Sequence, residues 1–423
     1  MELRKWYKLD NAGKIFPSVS TKSRSNVFRL SAQMTQKVDP LMLQKAVELS
    51  IKRFPTLNVR LRRGLFWYYL EANDHYPRIE EESPYMLRAF EHYRERYGFL
   101  FRVTYFNERI SVEMFHSLTD GTGALEFLKS IIYTYLQLQD IKLPESTSIL
   151  TEQIEQIKEE EQDSFNENFD PKLHSPRREV KALKYKCPIY RDNWLGLITG
   201  YVALDELKAI SKKHNVTITE YISAIVIMAA YRSKQIFEDK NRPFNLMVPV
   251  NLRRFFPSKS LRNFSLFVNT SIDLNKPMTF DEILARVKNN MDEELQKDKL
   301  QAHLTNNVRA EKNVFLRLAP RFLKEIVLKI AYFMLGDRVH SISLSNLGVV
   351  QVPAEMKKMI EYFDFTPGGG VTSPLNMGII TYDNTVAITF STALTNRMLE
   401  KEFFTQLTAA GLRVVIDHND LEV

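Results

Sequence analysis

The chain has 423 residues, of which 44% are hydrophobic and 26% charged, a composition typical of a folded globular protein and unlike that of disordered or collagen-like chains. Basic residues outnumber acidic ones by 58 to 51, and a net charge of +7 suits anionic partners. No long basic run and no zinc-finger spacing accompanies this charge, so no nucleic-acid partner is predicted.

The sequence predicts a cytoplasmic protein. Cys187 is its only cysteine, so an intrachain disulfide is impossible. Residues 1–18 carry charges where a signal peptide needs an apolar core. The longest apolar stretch, 221–231, is shorter than the roughly 20 residues of a membrane span and predicts a buried helix.

The first predicted elements are a helix and two hairpins. A helix over residues 40–54 has Asp39 as its N-cap and Pro40 at its first position. Alternating apolar residues then predict two strands that turn at Gly64. A second pair of strands, 99–106 and 110–116, follows.

His116 ends the last of these strands. Three preceding apolar residues share one strand face: Ile110, Val112 and Met114. The period of two places His116 on the same side, pointing inward. Helical spacing resumes at 122–138, so the stretch "FHSLTDG", 115–121, is predicted to connect a strand to a helix.

The second half begins after a charged segment. Residues 150–185 have little apolar pattern and predict a surface crossover or linker. Beyond it, capping-box patterns head two helices, at Thr217 and Thr279, and a closing helix is predicted near 397–418. Strands and helices alternate in both halves, which predicts an α/β fold.

One basic, apolar helical segment, 317–338, has two interpretations. A half-buried helix would place four residues in the core: Phe322, Ile326, Ile330 and Phe333. A weak contact with a membrane surface is the alternative, because amphipathic helices rich in Lys and Arg lie on membranes.

The residue types in "HSLTDG" suit acid–base chemistry. A neutral imidazole can take a proton from a hydroxyl, an amine or a thiol near neutral pH. Asp120 is able either to orient His116 directly or to pair with an arginine and fix the loop. A buried structural histidine followed by a helix-capping aspartate explains the same residues. The motif alone does not decide between these interpretations.

Other chemistries have weaker support in the sequence. The remaining histidines lack zinc-site spacing, so no metal site is predicted. The glycine-rich stretch 367–374 lacks the ending of a P-loop, and no dinucleotide fingerprint or serine nucleophile motif is present.

The sequence resembles the chloramphenicol acetyltransferase-like and condensation-domain superfamily, and within it the bacterial alcohol acetyltransferase-like group. Four motifs in the family's order carry the resemblance: "FHSLTDG", "VPVNLR" (248–253), "FVNT" (267–270) and "SNLG" (345–348). The opening "YKLDNAGKIFP" and "IKRFPTLNVRL" are also similar. Two features depart from the pattern, since Phe115 replaces the first histidine of a pair and "FDFTPGG" replaces "DFGWG".

The resemblance implies an α/β fold of two similar halves, a pseudo-dimer with a channel between them. The expected N-terminal half, 1–165, carries the HxxxDG motif, 166–190 is a crossover linker, and 191–423 is the C-terminal half.

The resemblance also implies roles for individual residues. His116 would be the general base, Asp120 would pair with Arg253 and face away from substrate, and Gly121 would leave room for the thioester arm. Ser345 and Asn269 are candidates for the oxyanion site or the channel.

The implied activity is transfer of a short acyl group from acyl-CoA to an alcohol, without a permanently bound cofactor. The acceptor would be a small alcohol or amine, and a carrier protein is a further possible partner. The alternatives are N-acylation of the condensation type and a non-catalytic module that binds a carrier protein or ligand.

Overall fold

Helices and strands alternate along the computed structural model, which describes residues 5–90, 95–144, 148–173, 180–238 and 241–419. The elements up to residue 167 are β1 (Trp6–Lys8), α1 (Phe16–Val19), β2 (Val27–Met34), α2 (Pro40–Ser50), β3 (Val59–Arg63), β4 (Tyr68–Ala72), β5 (Ile79–Glu81), β6 (Phe101–Phe106), β7 (Arg109–Phe115), α3 (Gly121–Leu138) and α4 (Ser164–Glu167). The later elements are β8 (Gly196–Ala203), α5 (Leu204–Lys213), α6 (Ile218–Arg232), β9 (Phe244–Asn251), β10 (Ser265–Ile272), α7 (Phe280–Glu294), α8 (Lys297–Lys312), α9 (Val314–Leu318), α10 (Arg321–Tyr332), β11 (Ile342–Val350), α11 (Ala354–Lys357), β12 (Ile360–Thr366), β13 (Leu375–Tyr382), β14 (Thr385–Thr392), α12 (Met398–Ala409) and β15 (Val415–His418).

Side-chain caps fix the starts of the helices that the sequence predicted. The carboxylate of Asp39 accepts hydrogen bonds from the first backbone amides of α2, and Pro40 holds the first helical position. Thr217 and Thr279 each form a capping box, at the starts of α6 and α7. These predictions are confirmed, as is the burial of most of α6, whose apolar residues fill the core of the second half.

Within the described ranges the strands form three sheets. Five strands in the order β12-β2-β7-β6-β5 form the sheet of the first half, and seven in the order β10-β9-β11-β13-β14-β8-β15 form that of the second. A smaller sheet, β1-β4-β3, contains the first predicted hairpin. Each large sheet packs its helices over one of the two main apolar clusters.

One strand joins the halves. β12 belongs to the C-terminal half in sequence, yet it pairs antiparallel with β2 in the sheet of the first half. The expected division between the N-terminal half, 1–165, and the C-terminal half, 191–423, therefore does not separate two independent sheets. Tyr201 of β8 strengthens the junction by donating a hydrogen bond from its hydroxyl to Asp364 of β12 at 3.1 Å.

The junction makes a prediction about pH. Burial raises the pKa of Asp364 to about 6, although the Tyr201 hydroxyl and the Arg109 guanidinium oppose the rise. The native carboxyl thus holds its proton more tightly than an unfolded one, and its contribution to stability falls as the pH rises from about 4 to about 6. Asp364→Asn removes this ionisable group. We expect the change in the free energy of unfolding caused by Asp364→Asn to be more favourable at pH 7.5 than at pH 4, by up to about 3 kcal/mol. The difference is smaller where water reaches the carboxylate. Urea denaturation of both proteins at the two pH values measures this, and an equal difference at both would contradict it.

The crossover segment is packed to a greater extent than a solvated linker. Among its residues between 148 and 173, Glu160 forms two 2.7 Å hydrogen bonds with the buried guanidinium of Arg53. Phe165 is buried in a third apolar cluster, with side chains from β10 and α8. The acidic composition of this segment gave no sign of the buried contacts of Glu160 and Phe165. Residues 174–179 of the predicted linker lie outside the described ranges.

Two predicted helical features differ in the structure. The closing helix ends at Ala409, because Gly411 adopts a left-handed φ of +93°, and the chain continues as β15 beside β8. The apolar stripe of 317–338 is not a core stripe, since Phe322, Ile326, Ile330 and Phe333 are each 50–60% exposed. No helix in the described part of the chain is long and apolar enough to span a membrane.

Candidate active site

His116 follows the last residue of β7 and is partly buried. Its backbone amide donates to the carbonyl of Asn26, next to β2, at 3.0 Å. Its Nδ1 lies 3.0 Å from Oδ1 of Asn263, which precedes β10 in the second half. The strand-to-helix connection predicted for this motif is confirmed, and the histidine lies where the two halves meet.

The partners of Asn263 fix the tautomer of His116. The amide NH2 of Asn263 donates to the carbonyl oxygen of His116 at 3.0 Å and to the carboxylate of Asp10 at 3.1 Å. Its Oδ1 therefore faces the imidazole as an acceptor, and Nδ1 must carry the proton. The lone pair of Nε2 is left for another molecule, and no protein group in the described ranges makes a hydrogen bond to this nitrogen.

Asp10 holds the side chain of Asn263 in place. Its side chain is fully buried and accepts from the backbone amide of Gly13 at 2.6 Å as well as from Asn263, with Arg262 at 3.5 Å. Burial raises the pKa of Asp10, and the guanidinium of Arg262 opposes the rise. The hydrogen bonds from Gly13 and Asn263 also oppose the rise, and the bond to Asn263 orients that amide.

Two aromatic rings hold the plane of the imidazole. Phe16 of α1 stacks on His116 with ring centroids 4.7 Å apart and an interplanar angle of 18°. Phe28 of β2 makes an edge contact at 5.1 Å. Phe28 pairs in register with Met114, so His116 continues the strand face predicted from the period of two.

Asp120 caps α3 and faces away from the imidazole. One carboxylate oxygen accepts from the backbone amides of Thr122 and Gly123, and the other accepts from Arg253 at 2.7 Å and from the amide of Phe264 at 2.9 Å. Both charged side chains are nearly buried. This is the pairing that the family resemblance implied, and it makes Asp120 a residue that holds the loop.

Arg253 connects that loop to the second half. Its guanidinium also donates to the backbone carbonyls of Ser260 and Arg262. Nearby, Thr119 donates to the carbonyl of Leu261 at 2.6 Å, and Asn251 donates to Thr122 at 3.1 Å. The motifs "FHSLTDG" and "VPVNLR" are therefore one contiguous structure, which brings Asn263 to His116.

Gly121 allows a close approach, but by a protein side chain. A Cβ atom at this position would lie 2.4 Å from Cδ2 of Leu347 on β11, so the space expected for a thioester arm is occupied by that side chain. Ser345 lies two residues before Leu347 on the same strand and is half-buried. The register of β11 is irregular between Asn346 and Val349, so strand alternation does not fix the side of the strand on which Ser345 lies relative to Leu347.

Asn269 is not brought to His116. It lies on β10 six residues beyond Asn263, roughly 20 Å along an extended chain. Its backbone carbonyl accepts from Asn290 of α7 at 2.9 Å, on the far part of the second half. The structure therefore does not bring Asn269 to the imidazole, and its assignment to the oxyanion site or the channel stays a prediction. The motif "FVNT" marked the strand correctly, whereas the residue that reaches the histidine lies before the strand begins.

Sequence reasoning missed three residues of the site: Asp10, Phe16 and Asn263. Two of them lie in "YKLDNAGKIFP", a stretch that supported the resemblance without receiving a role. Asn263 lies between two quoted motifs, in "LRNFSLF". These residues approach His116 because the segments around α1 and β10 meet where the two halves of the protein join. The spacing of residues along the sequence does not predict that contact.

Replacement of Asn263 tests its role in orienting the imidazole of His116. In Asn263→Leu the imidazole loses its acceptor, and we expect kcat of the transfer reaction proposed below to fall about 100-fold, the usual cost of a small misplacement of a catalytic group. Asn263→Asp retains the shape but adds a carboxylate, which favours the imidazolium, so the acidic limb of its pH–activity profile should move to higher pH. A parental kcat in the leucine variant, with an unchanged profile in the aspartate variant, would contradict this role.

The described ranges contain no group of three or more His, Cys, Asp or Glu side chains arranged to hold a metal ion. His92 and His174, two of the histidines weighed for a metal site, lie outside those ranges.

Comparison with known proteins identifies the sequence pattern of the second half. Residues 201–402 match the family model of alcohol acetyltransferases. This stretch contains "VPVNLR", "FVNT" and "SNLG", and also Asn263. Comparison with curated protein sequences gives no significant match.

Solved structures show that nearly the full chain has the two-lobed fold. Polyketide synthase associated protein 5 from Mycobacterium tuberculosis is 12% identical, with a TM-score of 0.59 over 95% of this chain and 96% of its own. The wax ester synthase/diacylglycerol acyltransferase from Marinobacter aquaeolei VT8 is 15% identical, with a TM-score of 0.54 over 96% and 100%. TRI101 from F. sporotrichioides, solved with coenzyme A and T-2, is 12% identical, with a TM-score of 0.58 over 98% and 100%. The predicted fold class and the resemblance are confirmed.

Proposed function

We propose that this protein is an acyl-CoA-dependent O-acyltransferase in which Nε2 of His116 is the general base. The observation that carries the proposal is the orientation of His116, whose Nδ1 is held by Asn263 while Nε2 is left for a substrate. The alcohol acetyltransferase match over 201–402 supports the reaction class. The solved complex of TRI101 with coenzyme A supports the donor.

The proposed reaction uses this geometry. Nε2 takes the proton of the acceptor hydroxyl as its oxygen attacks the thioester carbonyl carbon, giving a tetrahedral oxyanion. When the oxyanion collapses, the carbon–sulfur bond breaks and the coenzyme A thiolate leaves. The imidazolium returns the proton to the sulfur, so the products are an ester and free coenzyme A, and the enzyme is unchanged.

Asp120 and Arg253 position the base and do not take part in proton transfer. Their ion pair fixes the loop that follows His116, while Asp10 and Asn263 fix the ring. Ser345 is our candidate donor to the oxyanion, on the strand whose Leu347 approaches Gly121, and preorganised donors of this kind lower such barriers by about 3 to 4 kcal/mol. We place the acyl-CoA and acceptor paths between the halves, and entry of the thioester would require Leu347 to move away from Gly121.

Release of thiol from acetyl-CoA tests the function. The purified protein is incubated with acetyl-CoA and a panel of alcohols and amines, free thiol is followed with a colorimetric reagent, and products are identified by mass spectrometry. Cys187 contributes at most one protein thiol, a constant background that a donor-free control subtracts. We expect catalytic release with alcohols. Amide products would instead indicate N-acylation, and tight binding of acyl-CoA or an acyl carrier protein without any product would indicate the non-catalytic module.

A further inference from the structure

Helix α10 directs its apolar face toward solvent. Its twelve residues span about 18 Å. Five large apolar side chains of this helix are between 44% and 60% exposed: Phe322, Leu323, Ile326, Val327 and Ile330. A surface helix of a soluble protein ordinarily turns such a face to the core, so the exposed face needs a partner.

The polar residues of α10 hold it in this orientation. Arg321 donates to Glu325 at 2.6 Å, and the hydroxyl of Tyr68 donates to the same carboxylate at 2.7 Å. Lys324 is 1% exposed and donates to the backbone carbonyls of Phe66 and Arg317. Three of the four charged side chains of α10 are therefore bonded to the protein, and these contacts favour the exposure of the apolar side.

The exposed surface extends beyond α10. We name it the apolar platform, and it consists of the five side chains above together with neighbours that are 45–74% exposed: Leu65, Phe66, Val314, Leu318, Phe333 and Met334. The tip of the β3–β4 hairpin contacts α10 through the carbonyl of Leu65, which accepts from the amide of Arg321 at 3.0 Å. The platform is thus continuous from the hairpin tip to the helix.

The charges around the platform are basic. Arg63, Arg317 and Lys329 are exposed at its border. Glu325 is the sole acidic residue in the sequence between 314 and 332, and its carboxylate is bound by Arg321 and Tyr68. A broad apolar face with basic residues at its edge is the pattern of helices that lie in the interface of anionic membranes.

We infer that the apolar platform docks this protein on the surface of an anionic phospholipid membrane. The charge pattern selects this occupant, because the basic border attracts anionic headgroups while the aliphatic and aromatic side chains enter the acyl-chain boundary. The platform is also next to the candidate active site. α10 packs on α1, whose Phe16 stacks on His116, and Tyr332 at its end lies under the guanidinium of Arg24. Docking would therefore place the histidine one helix away from the lipid.

Flotation of the whole protein with vesicles tests this inference. Vesicles of phosphatidylcholine alone are compared with vesicles that also contain phosphatidylglycerol, at low and high salt. We expect binding to the anionic vesicles that salt weakens. The double substitution Ile326→Glu and Ile330→Glu should lower the partition coefficient at least about tenfold, since burial of one isoleucine side chain is worth roughly that factor. Lys329→Glu should lower it at least about fivefold on anionic vesicles and leave binding to neutral vesicles unchanged.

Leu41→Glu is the matched control, because Leu41 is 84% exposed on α2, outside the platform. This variant should bind vesicles like the parent protein. Equal vesicle binding by the parent and the double variant, or no binding to anionic vesicles at low salt, would overturn the inference. So would a parent dimer that the double substitution converts to a monomer without any vesicle binding, because a second copy of the chain would then cover the platform. None of these results depends on acyl transfer.

Discussion

His116→Ala is expected to lower kcat/KM for acyl transfer about 1,000-fold, with little change in the free energy of unfolding. A positioned general base contributes between about 100-fold and 10,000-fold, and His116 has the geometry of such a base. Its Nδ1 is held at 3.0 Å by Asn263, so removal of the ring removes Nε2 and leaves Asp10 and Asn263 bonded to each other. Steady-state thiol release with the best acceptor found, together with urea denaturation, measures both quantities.

His418→Ala provides the control for this experiment. His418 is exposed at the end of β15, in the second half, and its substitution should leave kcat/KM within about twofold of the parent value. Retention of parental turnover by His116→Ala would remove the base from the mechanism and leave the histidine a structural residue. A fall in turnover accompanied by a large loss of stability would indicate the same structural role.

The fold was predictable from local patterns to a large extent. Asp39, Thr217 and Thr279 each begin a helix through side-chain oxygens, a signal that is complete within four residues of sequence. The two strands before His116, β6 and β7, likewise follow from alternation of apolar residues. These predictions succeeded because the forces that determine them act over short distances along the chain.

The parts that sequence patterns missed depend on distant contacts. β12 pairs with β2, more than 300 residues earlier in the chain, and no local pattern specifies that partner. The outward orientation of α10 depends on Tyr68 and Phe66 of another hairpin, so its apolar stripe alone predicted burial. Asn263 was missed for the same reason, because its role depends on a contact with His116 across 147 positions.

Asp120→Ala is expected to destabilise the protein by about 3 to 5 kcal/mol, the cost of leaving one member of a buried ion pair without its partner. The change removes the acceptor of Arg253 and of the amides of Phe264, Thr122 and Gly123. Asp120→Asn should cost less, because asparagine is also a good N-cap and retains one acceptor oxygen. Urea denaturation at neutral pH measures the three proteins.

A double-mutant cycle with Arg253→Ala isolates the ion pair. Nη1 of Arg253 lies 2.7 Å from Oδ2 of Asp120, and both side chains are nearly buried. We therefore expect the double variant to lose less free energy of unfolding than the two single variants lose in sum, by about 0.5 to 3 kcal/mol. Lys52→Ala is the matched control, since its pair with Glu152 is exposed and should contribute little or nothing measurable. Strict additivity in the cycle, or a similar loss in the Lys52 variant, would show that Asp120 acts as a helix cap alone. Arg253 would then have no energetic part in holding the loop that carries His116.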